Sequence, residues 1–181
     1  MSYCFYCVKF LKLILCKNIG FIKAMKTYYK SPIGTILIEG DERGMSKLIF
    51  TDDIEDEAMD ANGMESLWLK QIDEYFHHQR EYFELELNLK GTAFQLRVWE
   101  ELLKVPFGTT LSYKELSLRL GDIKAIRAVA AANGANPVSI IVPCHRIIGS
   151  DGSLTGYGGG LWRKRWLLDF ESNDLLFKPG N

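Results

Sequence analysis

The stretch Asn136-Pro-Val-Ser-Ile-Ile-Val-Pro-Cys-His-Arg146 ends a short apolar run with a cysteine, a histidine and an arginine in succession. Val138–Val142 is rich in β-branched residues and bounded by prolines, which predicts a buried extended segment that delivers Cys144 to an edge of the core. Most buried cysteines are inert apolar side chains. Here the adjacent His145, the positive charge of Arg146 and a glycine-rich segment after them favour a reactive thiol.

The glycine-rich segment leads into a helix. Residues 149–160 contain six glycines but lack the Gly-Lys-Ser/Thr ending of a phosphate-binding loop, so we expect them to permit close approach to a flat ligand. Residues 161–171 then predict a helix with a buried apolar face. The side chains expected on that face are Trp162, Trp166, Leu167 and Phe170. At the end of this helix, Glu171 gains a functional meaning only if it reaches His145.

Start and stop signals divide the region before the cysteine stretch into three helices. Thr92 is a suitable N-cap for the first helix. Ser112-Tyr-Lys-Glu115 is a capping box that opens the second helix, and Gly121 ends it. Asp122 caps the third helix, which extends to about Ala132. Two short helices joined by a tight turn predict a helix-turn-helix.

The third of these helices is unusually rich in alanine and carries Arg127 as its one large cationic side chain after residue 125. Two interpretations are open for this composition. A thin helix allows close packing in a core. It also suits a narrow DNA groove, where an arginine can occupy the space of a displaced base.

The region from residue 25 to residue 91 has the pattern of a small α+β unit. Three segments rich in β-branched and aromatic residues, separated by turns that contain glycine, predict an antiparallel meander. They are Thr27–Lys30, Thr35–Glu39 and Met45–Phe50. After an acidic loop, Thr51–Gly63, apolar spacing predicts a helix from about Glu65 to His78. Alternation in Phe83–Leu89 predicts a final strand.

Charge is distributed unevenly along the 181 residues. Residues 25–92 carry 7 basic and 15 acidic residues, whereas residues 93–181 carry 11 basic and 8 acidic residues. A nucleic-acid partner should therefore contact the C-terminal half. With 47% hydrophobic and 25% charged residues, the composition is that of an ordinary globular protein and excludes a disordered chain.

The first 24 residues are apolar and basic, and two interpretations are open for them. They form an extra strand or helix packed on the domain, or, as we favour, a poorly ordered extension of unknown role before a natural start at Met25. Their apolar run is too short to span a bilayer, and no clear cleavage site for a signal peptide follows it. Three of the four cysteines, Cys4, Cys7 and Cys16, lie in this segment. A lone internal thiol without a secretory signal favours a cytoplasmic protein, and a single Cys-X-X-Cys pair is weak evidence for metal, so we expect none.

Six motifs together resemble the O6-alkylguanine-DNA alkyltransferases, also called methylated-DNA–protein-cysteine methyltransferases. They are Phe94-Gln-X-X-Val-Trp99, Ser112-Tyr113, Arg127-Ala-Val129, Asn136-Pro137, Pro143-Cys-His-Arg146 and Tyr157-X-Gly-Gly160-Leu161. The resemblance implies an α+β chain with two domains. A small N-terminal α/β (ribonuclease H-like) domain with antiparallel strands, residues 25–91, precedes a mostly helical, winged helix-turn-helix-like domain, residues 92–174. Residues 175–181 form a tail.

The resemblance also implies a role for each residue of the site. Cys144 accepts the alkyl group in a single turnover, His145 is linked to its thiol through water, and Glu171 holds the histidine. Asn136 joins the recognition-helix end to the site, and Tyr113 donates a hydrogen bond to N3 of the flipped guanine. We expect this arrangement to lower the pKa of the Cys144 thiol, because Glu171 helps to charge His145.

For the DNA and the base, the resemblance implies minor-groove binding with Arg127 as the finger that fills the vacated stack. The DNA-binding residues are Arg127, Ser112, Tyr113, Ala128 and Ala131. The loop that covers the base comprises Pro143, Ile147, Tyr157, Gly158 and Gly159. Some relatives have serine at the position of Gly158, so here a backbone N–H would contact O6. The expected partner is duplex DNA with O6-alkylguanine, bound by a monomer without cofactor, metal or obligate protein partner. Activity on O4-alkylthymine is left open.

Three other functions are compatible with parts of the sequence. A sensor that binds alkylated DNA without transfer would replace the acceptor cysteine, whereas Cys144 is present. A helix-turn-helix regulator needs side chains that contact base edges, and the alanine-rich helix offers few. A cysteine hydrolase needs an oxyanion hole, for which the sequence has no motif.

Overall fold

The computed structural model describes residues 24–52 and 64–172. Most of the predicted N-terminal extension, most of the acidic loop and the C-terminal tail lie outside this range, as do Cys4, Cys7 and Cys16. Within residues 24–52 and 64–172, no helix is both long enough and apolar enough to cross a membrane.

The predicted meander is confirmed. Strands β1 (Met25–Ser31), β2 (Gly34–Asp41) and β3 (Gly44–Thr51) form an antiparallel sheet in sequence order. Both connecting turns place a glycine at positive φ, +113° at Gly34 and +133° at Gly44, which residues with a side chain adopt with strain. Short turns of this kind fix the register of the three strands.

Helix α1 (Met64–Phe76) follows the meander, close to the predicted bounds, and buries Trp68, Ile72 and Tyr75. The expected strand at Phe83–Leu89 is wrong: only Leu87 forms a bridge, with Met45 of β3. The reason is that the same edge of β3 is shared with another segment, because Leu48 bridges to Val138. The N–H of Leu48 donates to Pro137 O (2.9 Å), and that of Ser139 donates to Leu48 O (2.8 Å).

Four helices dominate the C-terminal half: α2 (Ala93–Leu102), α3 (Tyr113–Arg119), α4 (Ile126–Gly134) and α5 (Leu161–Glu171). The predicted N-caps Thr92 and Ser112 both form complete capping boxes. The prediction for the third helix needs a correction, because Asp122 caps a short 3-10 turn, Ile123–Ala125, and the α-helix begins after it. Strands β4 (Leu111–Ser112) and β5 (Ile147–Ile148) pair in parallel.

A single hydrophobic core extends from the meander to α5 and includes Ile36, Val98 and Leu167. Helix α2 is fixed on α4 by a buried hydrogen bond from Trp99 Nε1 to Ala132 O (2.9 Å). The α+β fold class, with antiparallel strands before a helical DNA-binding-type half, is confirmed. The division at residues 91 and 92 stays a prediction.

Two local predictions in the C-terminal half are wrong. Val138–Val142 is buried but not extended beyond Val138, since Val142 N donates to Val138 O (3.0 Å) and Ile140 has a φ of +70°. The segment is a buried turn. In α5, Leu167 is buried as predicted and Trp166 and Phe170 pack against the core, but Trp162 is 57% exposed. The other buried positions of this helix are Lys164 and Glu171.

Candidate active site

Cys144 begins the 3-10 turn Cys144–Arg146 and is 5% exposed. The buried turn before it is held by Asn136, which follows the end of α4. Asn136 Nδ2 donates to Val142 O (2.8 Å), and Asn136 Oδ1 accepts from Val138 N (3.0 Å). The Asn136 side chain therefore joins the end of α4 rigidly to the turn that carries Cys144.

The carboxylate of Glu171 accepts hydrogen bonds from three separate parts of the chain. Its Oε1 accepts from His145 Nε2 (2.9 Å), Arg146 Nη2 (2.9 Å) and the hydroxyl of Tyr75 (2.7 Å). Its Oε2 accepts from Arg146 Nε (2.8 Å) and, at 3.5 Å, from Gly108 N. Burial alone raises the pKa of Glu171, but His145 and Arg146 outweigh it and hold the pKa well below its usual range.

This network fixes the tautomer of His145. Arg146 can only donate hydrogen bonds, so Glu171 is the acceptor and the His145 proton lies on Nε2. The other ring nitrogen, Nδ1, is buried and has no hydrogen-bond partner within the described residues. A buried nitrogen with a free lone pair beside the cysteine can accept a proton.

In the free protein, burial favours the neutral forms of both the Cys144 thiol and the His145 imidazole. Burial raises the pKa of the Cys144 thiol, against the hydrogen bond from Asn136 and the positive charge of Lys164. Burial also lowers the pKa of His145, against the charge of Glu171. The expected low pKa of the Cys144 thiol is therefore wrong for the free protein, because the thiol lies inside the core. Arg146 does not support a thiolate either, since its guanidinium is bound to Glu171 and Val105 O.

Lys164 is completely buried at the side of the site. Its Nζ donates to Thr155 O (2.7 Å) and Ile147 O (2.5 Å), and it lies 5.8 Å from the centre of the Tyr113 ring. Burial lowers its pKa to about 8, against the attraction of Cys144. Lys164 is thus the cation that favours the thiolate, and it also fastens the glycine-rich loop to β5.

Tyr113 lies at the start of α3, with its hydroxyl directed to the glycine-rich loop. The hydroxyl donates to Thr155 O (3.4 Å) and accepts from Asn133 Nδ2 (3.5 Å). The same Asn133 nitrogen donates to Cys144 O (3.3 Å). Burial raises the pKa of Tyr113, so the phenol keeps the proton that it needs to act as a donor.

The rest of the glycine-rich loop packs on the meander. A Cβ atom at Gly159 would lie 2.7 Å from the Phe50 ring and 2.9 Å from Tyr157, whereas one at Gly158 would meet nothing within 4 Å. Arg163 donates to Gly159 O (2.8 Å) and Ile33 O (2.7 Å). The loop is therefore held close to the N-terminal half, with Gly158 exposed. Pro143 and Ile147 are buried beneath the site.

Helix α4 presents one exposed face of small residues. Arg127, Ala128 and Ala131 are exposed, while Val129 and Ala132 are buried on the opposite face. Arg127 makes no hydrogen bond or ion pair to any other residue of the described ranges. Ser112, the N-cap residue before α3, is occupied in its capping box with Glu115.

The two halves of the chain each match a known family. Residues 93–173 match the 6-O-methylguanine DNA methyltransferase DNA binding domain, and residues 24–89 match the ribonuclease-like domain of the same proteins. The chain belongs to the 6-O-methylguanine DNA methyltransferase family. This confirms the resemblance inferred from the six motifs.

Relatives of this methyltransferase chain align over most of their length. It is 43% identical over 151 residues to the methylated-DNA–protein-cysteine methyltransferase of Methanosarcina barkeri, covering 81% of this chain and 96% of the relative. The Mycobacterium tuberculosis O6-methylguanine methyltransferase structure superposes with a TM-score of 0.75 at 39% identity, covering 86% of this chain and 97% of that one. The M. tuberculosis OGT in complex with DNA has a TM-score of 0.72 at 43% identity, covering 80% and 90%.

In this methyltransferase chain the fold brings Cys144, His145, Glu171, Asn136 and Tyr113 around one site. Three participants were missed from the sequence: Tyr75, Asn133 and Lys164. None of the three stands in a sequence context that suggests catalysis. Tyr75 lies among apolar residues, Asn133 lies at a helix end, and Lys164 lies on a helix where a charged residue is usually exposed to solvent. The sequence gives one indication for these three residues: Lys164 lies three and seven positions before Leu167 and Glu171, which places all three on one face of α5.

Proposed function

We propose that this protein repairs DNA by transferring the alkyl group of O6-alkylguanine to the sulfur of Cys144. The observation that carries the proposal is a buried thiol followed directly by a buried histidine, whose Nε2 is bound to a carboxylate and whose Nδ1 is free. Membership of the methyltransferase family and the DNA complex of a relative support the substrate.

The proposed reaction is a displacement at the alkyl carbon. The S–C bond to Cys144 forms as the bond from that carbon to guanine O6 breaks, and its electron pair passes to the base. The thiol proton passes through a water molecule to Nδ1 of His145, while Glu171 stabilises the imidazolium that forms. The base leaves as an anion and takes up one proton, which balances the proton released by the thiol, to become guanine. A thioether has no good leaving group, so Cys144 is not regenerated and each chain repairs one lesion.

Activation of the thiol then accompanies substrate binding. The neutral thiol of the free protein becomes a thiolate only when its proton can pass to His145, and Lys164 and Asn136 stabilise the charge. Tyr113 donates a hydrogen bond to N3 of the base, which makes guanine a better leaving group. During transfer, the positive charge of Lys164 therefore compensates the negative charge of the Cys144 thiolate, while the Tyr113 phenol stays neutral.

Access to Cys144 requires that the base leave the duplex, since the thiol is only 5% exposed. The exposed face of α4 allows close approach to a groove at Ala128 and Ala131, and Arg127 is free to fill the vacated stack. Ser112 and the start of α3 would contact the backbone. Tyr157, Gly158 and Gly159 would cover the flipped base, with Pro143 and Ile147 beneath it. We propose that the chain acts as a monomer in the cytoplasm, where the thiol stays reduced.

The decisive experiment uses a duplex oligonucleotide with one O6-methylguanine carrying a labelled methyl group. We expect one methyl mass on the Cys144 peptide, one label per chain at most, and none with Cys144→Ser. Binding without label would support a sensor instead, and repeated turnover would support a hydrolase. A parallel oligonucleotide with O4-methylthymine tests the second substrate.

The finger role of Arg127 is tested separately. Arg127→Ala should slow transfer from duplex DNA far more than reaction with free O6-benzylguanine, because only the duplex has a stack to fill. Arg165→Ala, which removes another exposed helical arginine, is the control. Equal losses on both substrates would contradict the finger role.

A further inference from the structure

Tyr75 comes from α1 in the N-terminal half, yet its hydroxyl ends at the catalytic carboxylate of the C-terminal half. The side chain is fully buried, and its ring packs in an aromatic cluster with centroids 5.5 Å from Phe83, 6.1 Å from Phe107 and 5.4 Å from Phe170. The hydroxyl donates to Glu171 Oε1 at 2.7 Å, the shortest of the five contacts to that carboxylate. The hydroxyl of Tyr75, its only polar side-chain group, is therefore bound to Glu171.

The same oxygen is the one that holds His145. Oε1 accepts from Tyr75, His145 and Arg146, so three donors share the charge of one carboxylate oxygen. Each donor reduces the negative charge that acts on the other two. The Tyr75 hydroxyl consequently affects both where Oε1 lies relative to the imidazole and how strongly Glu171 favours protonation of His145.

We propose that Tyr75 is a positioning residue for alkyl transfer, through which the N-terminal half sets the orientation and basicity of His145. The inference rests on the proposed function, because it requires that Nδ1 of His145 accepts the Cys144 proton. Tyr75 itself exchanges no proton. Burial and the charge of Glu171 raise its pKa well above the usual range, so it stays a donor throughout.

Several ionisable groups face His145 and Glu171, and they titrate in different ranges. Arg146 lies on the same turn and can only donate hydrogen bonds, and the pKa of Glu171, on α5, is held below the usual carboxyl range. Lys164, also on α5, has a pKa of about 8. Cys144, on the turn, and Tyr157, in the glycine-rich loop, have pKa values raised by burial. Among these groups, His145 is the one whose protonation we expect to limit the reaction below pH 7, because a protonated imidazole cannot accept the Cys144 proton.

Tyr75→Phe removes the hydroxyl and keeps the ring in its cluster. Oε1 then acts on two donors in place of three, so the His145 imidazolium becomes more favourable and the pKa of His145 rises. We expect the acidic limb of the rate profile to move to higher pH by about half a unit, a threefold change in the protonation equilibrium. We also expect the rate at pH 7.5 to fall about three- to tenfold, since the imidazole is less firmly oriented.

The chain offers a matched control in Tyr29→Phe. The Tyr29 hydroxyl also donates to a carboxylate, Oδ1 of Asp73 (2.9 Å), which lies on the same helix as Tyr75. The Tyr29 ring stacks on Phe76. It has no contact with Glu171. The measurement is the first-order rate of methyl transfer at saturating duplex with O6-methylguanine, from pH 5.5 to 8.5. Urea unfolding of each variant is measured as well, to check that each is folded under the assay conditions.

Five outcomes are distinguishable. A slower Tyr75→Phe protein with a shifted acidic limb, beside an unchanged Tyr29→Phe protein, supports the inference. A Tyr75→Phe protein with the original rate and limb overturns it, as does a slower one whose limb has not moved, because that is a purely structural effect. If Cys144 of the unsubstituted protein is not methylated, the proposed function fails. If it is methylated but His145→Gln reacts equally fast, the function stands and the inference fails, because His145 is then not the proton acceptor.

Discussion

Replacement of Glu171 by glutamine should cost more stability than almost any other isosteric change in this protein. The carboxylate accepts from Tyr75, His145, Arg146 and Gly108 and is 1% exposed. In either orientation, the glutamine amide nitrogen faces at least one N–H donor. Arg146, with its side chain 7% exposed, would also lose its counter-charge. Breaking one side of a buried ion pair costs about 3–5 kcal/mol, and we expect Glu171→Gln to fall in that range.

The measurement is urea unfolding at pH 7.5, followed by tryptophan fluorescence, with the unfolding free energy taken from midpoint and slope. Glu101→Gln is the control, because Glu101 pairs at 2.6 Å with Lys104, whose side chain is 63% exposed. Such a pair contributes at most about 1 kcal/mol. A loss below about 1 kcal/mol for Glu171→Gln, with an unchanged slope, would refute the view that this carboxylate anchors a buried charge network.

Three further predictions concern pH and the loop. Burial lowers the pKa of His145 in the folded protein, so as pH falls below about 6.5 the imidazole of the unfolded chain binds a proton first. The free energy of unfolding should therefore decrease from pH 7 to 5.5, and it should decrease less steeply in His145→Gln. Lys164 loses its proton near pH 8, so the transfer rate should stop rising with pH there, and Lys164→Met should be slower without that break. Gly159→Ala should slow reaction with free O6-benzylguanine about tenfold or more, because its methyl group would overlap the Phe50 ring and shift the loop. Gly158→Ala is the control and should react normally, and equal rates for the two variants would contradict the packing of the loop on Phe50.

Local signals in the sequence were sufficient to locate most elements. The capping boxes at Thr92 and Ser112 depend on residues only three positions apart, so the sequence contains all the information that decides them. The meander likewise depends on adjacent strands and short turns. The strand predicted at Val138–Val142 failed because its residue types suit a strand, whereas β3 offers it only one bridge and Ile140 then reverses the chain.

The site was predictable where residue type and motif coincide, as at Cys144 and His145. Tyr75 was missed because its partner, Glu171, lies 96 residues away and apolar spacing on α1 already accounts for its burial. Lys164 was missed because lysine is almost never fully buried. On α5, hydrophobicity correctly predicted that Leu167 is buried, but it failed for Trp162, which is exposed. Two charged residues, Lys164 and Glu171, are buried on this helix, and only their tertiary partners explain why.

The hydrogen bonds on the outer edge of β3 have a consequence for association with other chains. Met45 is bonded to Glu86 and Asn88, and Leu48 is bonded to Pro137 and Ser139. Free backbone groups along a strand edge attract strands from other molecules and start aggregation. The segment that leads to Cys144 therefore also shields the meander, and an N-terminal half produced without it would expose a strand edge ready to pair with its neighbours in solution.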